Sequence, residues 1–565
     1  MDTQRVIALI VFSFSALLLW EAWQKQNAPV PATRPAATTT ATPSTVPSMP
    51  PPPATTPGPA QAPSAASAPP APPTAVPSAA VAAPVHVTTD LFDIDIDPVG
   101  GDIRRLTFRE VHSAQDRSKP LTLLEPDPQH FFVTQSGLLG GELPNHNTVY
   151  EPEQRAYALA SGKDSVEVRL RARDAAGDEV VKRYVFHRGQ YVFDLSYEVT
   201  NRSGKPITAY AYYQFLRDGN PPSQEAAQTS SFGGVTTFTG PALFTEESKY
   251  EKIQFKDVDK GKQPEPRKSK DGWIGIVQHY FVSTWLPKEG QEREYFTRKV
   301  GDDRYTAGVV VPVGTIAPGA TASVDVASYI GPQEKDRLAK TAPGMDLVVD
   351  YGWLKVLAVP IFWILRTIHG FVHNWGWSII LLTILIKLAF YPLNAKAGRS
   401  MAQMKVLAPK MEKLKQLYGD DRQKLNQAMM ELYRTEKINP LGGCLPIAVQ
   451  IPVFIALYWV LLGSIELRHA PWLGWIHDLS APDPYFVLPV IYALSMFLQT
   501  RINPQPADPV QAKVMMIMPI MFSVFFLFFP SGLVLYWVVQ NLLSIVQQWH
   551  INRTLAAEAK AKARR

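Results

Sequence analysis

A single lysine lies inside an apolar stretch that is long enough to cross a lipid bilayer. The stretch runs from Trp377 to Leu393 (WSIILLTILIKLAFYPL), and Lys387 is its one charged residue. A charged side chain near mid-membrane costs at least about 2.5 to 3.5 kcal/mol on insertion scales, so it is expected to face a wet cavity or a partner. Thr383 lies four residues earlier, on the same face of a helix. The pair predicts one polar stripe on an apolar helix, and hence a hydrophilic groove.

The alternative interpretation is that Lys387 only reaches the headgroup region. Pro392 lies five residues further on and indicates that the helix ends nearby. The long lysine stem would then snorkel and place its ammonium group at the membrane surface. The sequence of this stretch alone leaves both interpretations open.

Polar side chains recur in two later apolar stretches. Gln450 lies beside Pro452 in one of them. The last stretch has a polar face toward its C-terminal end, made of Gln540, Asn541, Ser544, Gln547 and Gln548. Such residues commonly form hydrogen bonds between membrane helices. Taken together with Lys387 and Thr383, they favour a shared polar concavity that is open to the cytoplasm.

The apolar stretches predict six membrane spans in all. They cover residues 6–20, 377–393, 441–463, 485–498, 514–529 and 533–549. Between the second and third, residues 394–440 hold ten lysines and arginines against five acidic residues. The positive-inside rule places this segment in the cytoplasm, which puts both termini there as well.

The remaining chain divides by composition into a soluble domain and its connections. Period-two alternation such as FDIDID at residues 92–97, separated by glycine-rich turns, predicts a large extracytoplasmic antiparallel β-sandwich. We therefore expect a multi-domain membrane protein with a polytopic α-helical core. The predicted parts are a transmembrane anchor (1–24), a disordered Pro/Ala-rich tether (25–85), the sandwich (86–332), a connector with an interfacial amphipathic helix (333–375), a five-helix core (376–550) and a basic cytoplasmic tail (551–565).

Two helical segments outside the spans carry specific predictions. Residues 353–372 hold Lys355, Arg366 and His369, too many polar groups for a lipid-embedded span, which favours a helix lying in the outer interface. Residues 395–440 predict a cytoplasmic helical hairpin broken at Gly419, with the candidate contact residues Met401, Met404, Met411, Lys413, Lys415 and Arg422. The methionines could contact hydrophobic clients, although helix packing is the more common role of such a stripe.

Several functional classes find no support in the sequence. The histidines of the sandwich have no metal-ligand spacing, and neither a nucleophile motif nor a phosphate-binding loop is present, so we expect no enzyme, metal or cofactor. A net charge of +6 over 565 residues does not indicate nucleic-acid binding. Two alternatives remain: a proton-coupled transporter, although no inverted repeat is found, and a membrane-anchored protein that binds glycans through the sandwich.

Two long runs resemble a known family. They are NPLGGCLPIAVQIPVFIALYWVLLGSIELRHAPWLGWIHDLSAPDPY and DPVQAKVMMIMPIMFSVFFLFFPSGLVLYWVVQNLLSIVQQ, and they are similar to the membrane protein insertases of the YidC/Oxa/Alb family, Gram-negative type. The resemblance implies a β-supersandwich outside the inner membrane and a groove open to cytoplasm and lipid. It also implies that the protein inserts and folds membrane proteins, alone or beside the SecYEG and SecDF translocon, and that the ribosome contacts the hairpin or tail.

The resemblance also assigns the groove residues. The family usually has arginine where this chain has Lys387, so the charge is kept and the planar guanidinium fork is lost. Trp537 stands where well-known members have a second tyrosine. The full set expected to line the groove is Thr383, Lys387, Gln450, Ile451, Phe454, Tyr536, Trp537, Gln540 and Asn541.

Overall fold

The computed structural model describes residues 83–563, apart from 114–115, 221–236, 420, 437–444, 503–516, 518–520 and 522. The predicted anchor (1–24), nearly all of the predicted tether (25–85) and seven of the sixteen residues of the predicted fifth span (514–529) lie outside the described residues.

The first half of the described chain is a β-sandwich, as predicted. In residues 92–97 the three apolar side chains are buried and the three aspartates are exposed or half-buried. Such alternation buries one face of each strand against the opposite sheet. Apart from the parallel β1–β7 pair, the strand pairs described are antiparallel.

Two sheets contain the described strands. In order across the first sheet they are β14 (Lys268–Ser269), β17 (Arg293–Val300), β18 (Arg304–Ile316), β11 (Ile207–Asp218), β5 (Phe131–Leu139), β4 (Pro120–Pro126), β3 (Asp102–His112), β2 (Phe92–Asp97), β1 (Val85–Thr88) and β7 (Ala156–Ala158). Across the second they are β13 (Lys249–Lys252), β12 (Gly240–Thr245), β15 (Trp273–Gln278), β16 (Phe281–Pro287), β19 (Thr321–Pro332), β10 (Val192–Thr200), β9 (Glu179–His187), β8 (Ser165–Arg173) and β6 (Glu151–Pro152).

A buried ion pair joins the two sheets. Lys182 Nζ of β9 lies 2.6 Å from Asp102 Oδ1 of β3, and both side chains are fully buried. The ammonium group also donates to the carbonyl oxygen of Gly100 at 2.8 Å. Burial lowers the pKa of Lys182 and raises that of Asp102, because desolvation disfavours each charged form.

Three helices precede the predicted core. A five-residue helix, α1 (Phe255–Asp259), interrupts the strands of the sandwich. Helix α2 (Lys335–Thr341) and a 3₁₀ turn (Met345–Val348) follow β19 and lead into α3 (Lys355–Val372). Arg366 of α3 lies 2.5 Å from Asp336 of α2, so one of the charged groups on which the interfacial prediction for α3 rests is paired.

Six further helices form the rest of the described chain. They are α4 (Trp375–Ala389), α5 (Tyr391–Tyr418), α6 (Arg422–Thr435), α7 (Leu445–Gly463), α8 (Val487–Ile502) and α9 (Ser531–Ala563). Helix α9 contacts α4, α5, α7 and α8, and α3 contacts α4 and α7. These helices enclose the second part of the core, with side chains such as Leu382, Leu457 and Leu533 fully buried.

The structure corrects two predicted boundaries. The stretch 377–393 is not one continuous helix, because α4 ends at Ala389 and the chain turns by 65° into α5. Pro392 lies in the first turn of α5, where a proline fits because its missing N–H has no acceptor there. The last predicted span, 533–549, is part of the longer α9, so the predicted basic tail continues that helix as far as Ala563.

Length and composition do not establish six spans. Among the described helices, α3 alone is long and apolar enough to cross a membrane by itself, and α4 with residues 391–400 passes only as a bent pair. The apolar segments Val449–Gly463 and Val487–Ile502 are shorter. Because α3 is the helix that we predicted to lie in the interface, both its position and the count of six stay predictions.

Candidate functional site

The lysine-bearing helix α4 has a buried face and an exposed face. Asn374 caps its start, since the side chain accepts a hydrogen bond from the backbone N of Trp377 at 3.1 Å. Ile379, Leu382 and Thr383 are fully buried. The exposed face carries Trp377, Leu381, Leu385 and Leu388. Helix α4 therefore presents apolar side chains both to the protein interior and to its surroundings.

The ammonium group of Lys387 contacts helix α9. Its Nζ donates a hydrogen bond of 2.7 Å to the Oγ of Ser544, and Ser544 in turn donates to the carbonyl oxygen of Gln540 at 2.8 Å. Thr383, predicted as its polar companion, is fully buried, and its hydroxyl donates to the carbonyl oxygen of Ile379 at 2.6 Å. The direct partner of the lysine is therefore on another helix.

Four side chains form what we call the polar face of α9: Trp537, Gln540, Ser544 and Gln547. At 3.6 residues per turn they lie within about 80° of one another around the helix axis. Trp537 Nε1, Gln540 Oε1 and Gln547 Nε2 are buried and make no hydrogen bond to any described residue. Buried polar atoms without partners are costly, so this face is suited to water or to polar groups of a bound chain.

Asn541 belongs to a different contact. It is 6% exposed, and its Nδ2 donates a hydrogen bond of 2.8 Å to Ser495 Oγ of α8. This bond joins α8 to α9 and uses the side chain that we predicted to line the groove.

Aromatic side chains lie toward the N-terminal end of the polar face. Phe454 of α7 packs edge-on against Trp537, with ring centroids 4.9 Å apart. Trp537 also contacts the rings of Tyr492, Phe526 and Tyr536. Phe454 and Trp537, both predicted as client contacts, are thus brought together.

The other predicted groove residues differ in exposure. Ile451 is 50% exposed and Gln450 is half-buried on α7, whereas Tyr536 is buried.

The loop between α7 and α8 packs against the N-terminal end of α9. The backbone N of Ser531 and of Gly532, at the start of α9, donate to the carbonyl oxygens of Ala481 and Leu479 at 2.7 and 2.9 Å. Asp478 of the same loop lies 3.4 Å from Arg117 of the sandwich. Its pKa is below the ordinary value because burial, which acts to raise it, is outweighed by hydrogen bonds, among them those from Ser480.

Comparison with known proteins gives the family. A family model described as the YidC periplasmic domain matches residues 84–364, and one described as a 60Kd inner membrane protein matches residues 367–559. The membrane protein insertase YidC of Aromatoleum aromaticum is 52% identical over 558 residues, which cover 99% of each chain. That of Nitrosospira multiformis is 49% identical over 567 residues, covering 99% of this chain and 98% of that one.

The chain belongs to the YidC family of membrane protein insertases. A solved structure of an active YidC insertase with its first transmembrane domain resolved is 17% identical, with a TM-score of 0.38, and the match covers 83% of this chain and 92% of that one. The two YidC family models meet inside α3, so this helix joins the periplasmic and membrane parts.

The predicted hairpin is present in this YidC-family chain as α5 and α6, which contact each other. Asp421 caps α6 by accepting hydrogen bonds from the backbone N of Gln423 and of Lys424. Tyr433 Oη lies 3.7 Å from Met411 Sδ, so this methionine packs between the two helices. Lys413 and Lys415 are exposed, and the side chains of Met401, Met404 and Arg422 lie outside the described part of the chain.

Two contact residues of the helices around α9 were not among the site residues predicted from the sequence. Ser544 was recognised only as one member of a polar stripe, and Ser495 carried no signal at all. The pairing of Lys387 with Ser544 joins residues 157 positions apart, and that of Asn541 with Ser495 joins residues 46 apart. A periodic pattern assigns residues to a face of one helix but does not say which helix they meet.

Proposed function

We propose that this protein inserts membrane proteins into the inner membrane through a groove lined by Lys387 and the polar face of α9. The observation that carries the proposal is the contact of an ammonium group with the face of α9 that also carries buried polar atoms without a partner among the described residues. Such atoms lower the cost of bringing a polar tail into the apolar layer, because they replace part of its hydration.

The energetics of insertion follow from these contacts. The hydrophobic segment of a client leaves the groove for lipid, and burial of its apolar surface drives the step. Lys387 attracts acidic residues in the tail that must cross. The membrane potential, positive outside, adds about 2.3 kcal/mol for each negative charge carried outward across 100 mV.

The proposal includes an orientation and partners. The chain crosses the membrane six times with both termini in the cytoplasm, and the sandwich lies in the periplasm. Small clients use this protein alone, and larger ones use it beside the SecYEG and SecDF translocon. The exposed cations Lys413 and Lys415 of the hairpin, with the basic end of α9, are the proposed ribosome-facing surfaces.

Site-specific photocrosslinking to ribosome-stalled nascent chains tests the proposed path. Probes at Ile451, Phe454 and Trp537 should crosslink the client once its hydrophobic segment has emerged. Leu385 on the exposed face of α4 serves as the matched control outside the path. Equal crosslinking at Leu385 and Trp537, or silence at all three groove probes in a folded protein, would exclude this path.

Charge reversal tests the electrostatic part of the proposal. Lys387→Glu should reduce insertion of a client with an acidic tail at least about tenfold, because it replaces attraction by repulsion in a poorly solvated place. A client with a neutral tail should be affected much less. Normal insertion of the acidic-tail client by Lys387→Glu would remove Lys387 from the mechanism.

A further inference from the structure

The hydroxyl group of Ser544 both accepts and donates a hydrogen bond. Its oxygen accepts from Lys387 Nζ at 2.7 Å, and its O–H donates to the carbonyl oxygen of Gln540 at 2.8 Å, one turn earlier on the same helix. A serine hydroxyl carries one proton, so the bond to Gln540 fixes the direction of that proton. The lone pairs are then left facing the ammonium group of Lys387.

From this geometry we infer that Ser544 is the positioning residue for Lys387, and that it sets the preference for acidic client tails. The inference rests on the proposed function, because it assigns a partner to the lysine of that groove. Ser544, on α9, holds the end of the long, flexible side chain of Lys387. Without Ser544, rotation about the bonds of the four-carbon lysine stem can move the charge away from the groove.

The neutrality of this partner matters as much as its position. No described Asp or Glu forms an ion pair with Lys387, whereas the buried Lys182 of the sandwich is paired with the carboxylate of Asp102. A carboxylate in place of Ser544 would hold the ammonium group equally well but would cancel its charge. A hydroxyl holds it and leaves the charge, with two further N–H donors, for a carboxylate on the client.

The test measures insertion of two clients that differ only in the charge of the translocated tail, by the full-length protein in lipid vesicles. Ser544→Ala removes the acceptor and should lower the ratio of acidic-tail to neutral-tail insertion by about three- to tenfold, the fold-change that corresponds to the net contribution of one typical hydrogen bond. Ser544→Thr retains the hydroxyl and should keep the ratio within about twofold of the unmodified protein.

The matched control is Thr367→Ala on α3. The Thr367 hydroxyl makes the same kind of bond, donating to the carbonyl oxygen of Trp363 at 2.8 Å, but on an exposed face. It should leave the ratio unchanged. If Ser544→Ala does not fold, Ser544→Cys supplies a side chain of similar size whose sulfur is a weak acceptor, and it should also lower the ratio.

Each outcome supports or overturns the inference. An equal loss for both clients would assign Ser544 to packing alone, and an unchanged ratio would show that Lys387 needs no anchor; either result overturns it. Lys387→Ala, measured in parallel, separates a failure of the proposed function from a failure of the positioning role of Ser544. If it leaves acidic-tail insertion intact, the proposed function itself fails, and if it lowers the ratio while Ser544→Ala does not, only the positioning role of Ser544 fails.

Discussion

At the level of single residues, the partner of each polar side chain on α9 decides what it does. Ser544 meets Lys387 of α4, and Asn541 meets Ser495 of α8. The sequence grouped Ser544 and Asn541 into one polar face, because helical periodicity is visible in any single helix, whereas in the structure Asn541 contacts α8. It could not separate them, since the partner depends on how α9 is rotated between its two neighbours.

Asn541→Ala should therefore weaken helix packing and leave client selection alone. The expected loss of stability is about 0.6 to 1.7 kcal/mol, the range measured for hydrogen bonds between membrane helices. Thermal unfolding in detergent measures the loss, and the acidic-to-neutral insertion ratio should not change. A lower ratio with unchanged stability would return Asn541 to the groove.

At the level of helices, the start of α4 lies in close contact with the loop between α7 and α8. Gly376 lies in the first turn of α4, and a Cβ atom added there would lie 2.2 Å from Cδ1 of Trp472. No side chain fits in that space unless the indole moves. The sequence shows the Pro392 that accompanies the bend after α4, but nothing in it reveals the contact between Gly376 and Trp472.

Two glycine substitutions in neighbouring helices should have opposite effects on the stability of the protein. Gly376→Ala should destabilise the protein by about 1 to 3 kcal/mol, because it overpacks against Trp472. Gly370→Ala in α3, where an added Cβ meets nothing within 4 Å, should stabilise it by up to about 1 kcal/mol through helix propensity. Both are read as shifts in the thermal unfolding midpoint, and a stabilising Gly376→Ala would contradict the contact.

At the level of the whole molecule, the sandwich was largely predictable and its internal ion pair was not. Alternation placed residues 92–97 correctly, because burial on one face of a strand imposes a period of two. In β9 the same alternation puts Lys182 among the buried positions, between Val180 and Tyr184. That lysine on an inward face was the available signal, but its partner Asp102 is 80 residues away.

Breaking this pair should be strongly destabilising. Lys182→Met leaves the carboxylate of Asp102 buried without its counter-ion, and the expected loss is about 3 to 5 kcal/mol. The double variant Lys182→Met with Asp102→Leu should recover much of it. Arg171→Met, at an exposed pair whose atoms are 2.7 Å apart, is the control and should cost less than about 1 kcal/mol. Similar losses for Lys182→Met and Arg171→Met would contradict the role of burial.

Contact between the sandwich and the helices should weaken in acid. His279, in the β15–β16 turn, donates through Nε2 to the carbonyl oxygen of Leu462 at 3.0 Å. Burial, aided by nearby Arg468, lowers its pKa from 6.5 to about 4. Between these values the unfolded state binds more protons, so this contribution to stability is complete above about pH 6.5 and is lost as the pH falls toward 4.

The measurement is the thermal unfolding midpoint of the full chain from pH 7 to pH 4. His279→Gln keeps an N–H donor that does not titrate, so its midpoint should fall less than that of the unmodified protein. His146, inside the sandwich, also has a pKa lowered to about 4 by burial. The variant His146→Gln measures how much His146 contributes to the fall of the unfolding midpoint in acid. Parallel curves for His279→Gln and the unmodified protein would show that this contact does not titrate.

The unbroken length of α9 connects the loop between α7 and α8 with the cationic C-terminal end of the helix. Its 33 residues correspond to about 50 Å, well beyond the roughly 30 Å of a bilayer's hydrocarbon core. Ser544 lies about 20 Å along the helix from its start at Ser531. A rotation applied at the cationic C-terminal end of α9 would therefore turn the hydroxyl that accepts the hydrogen bond from Lys387. Under the proposed function, a ribosome docked at that end would act on the charge that meets the client.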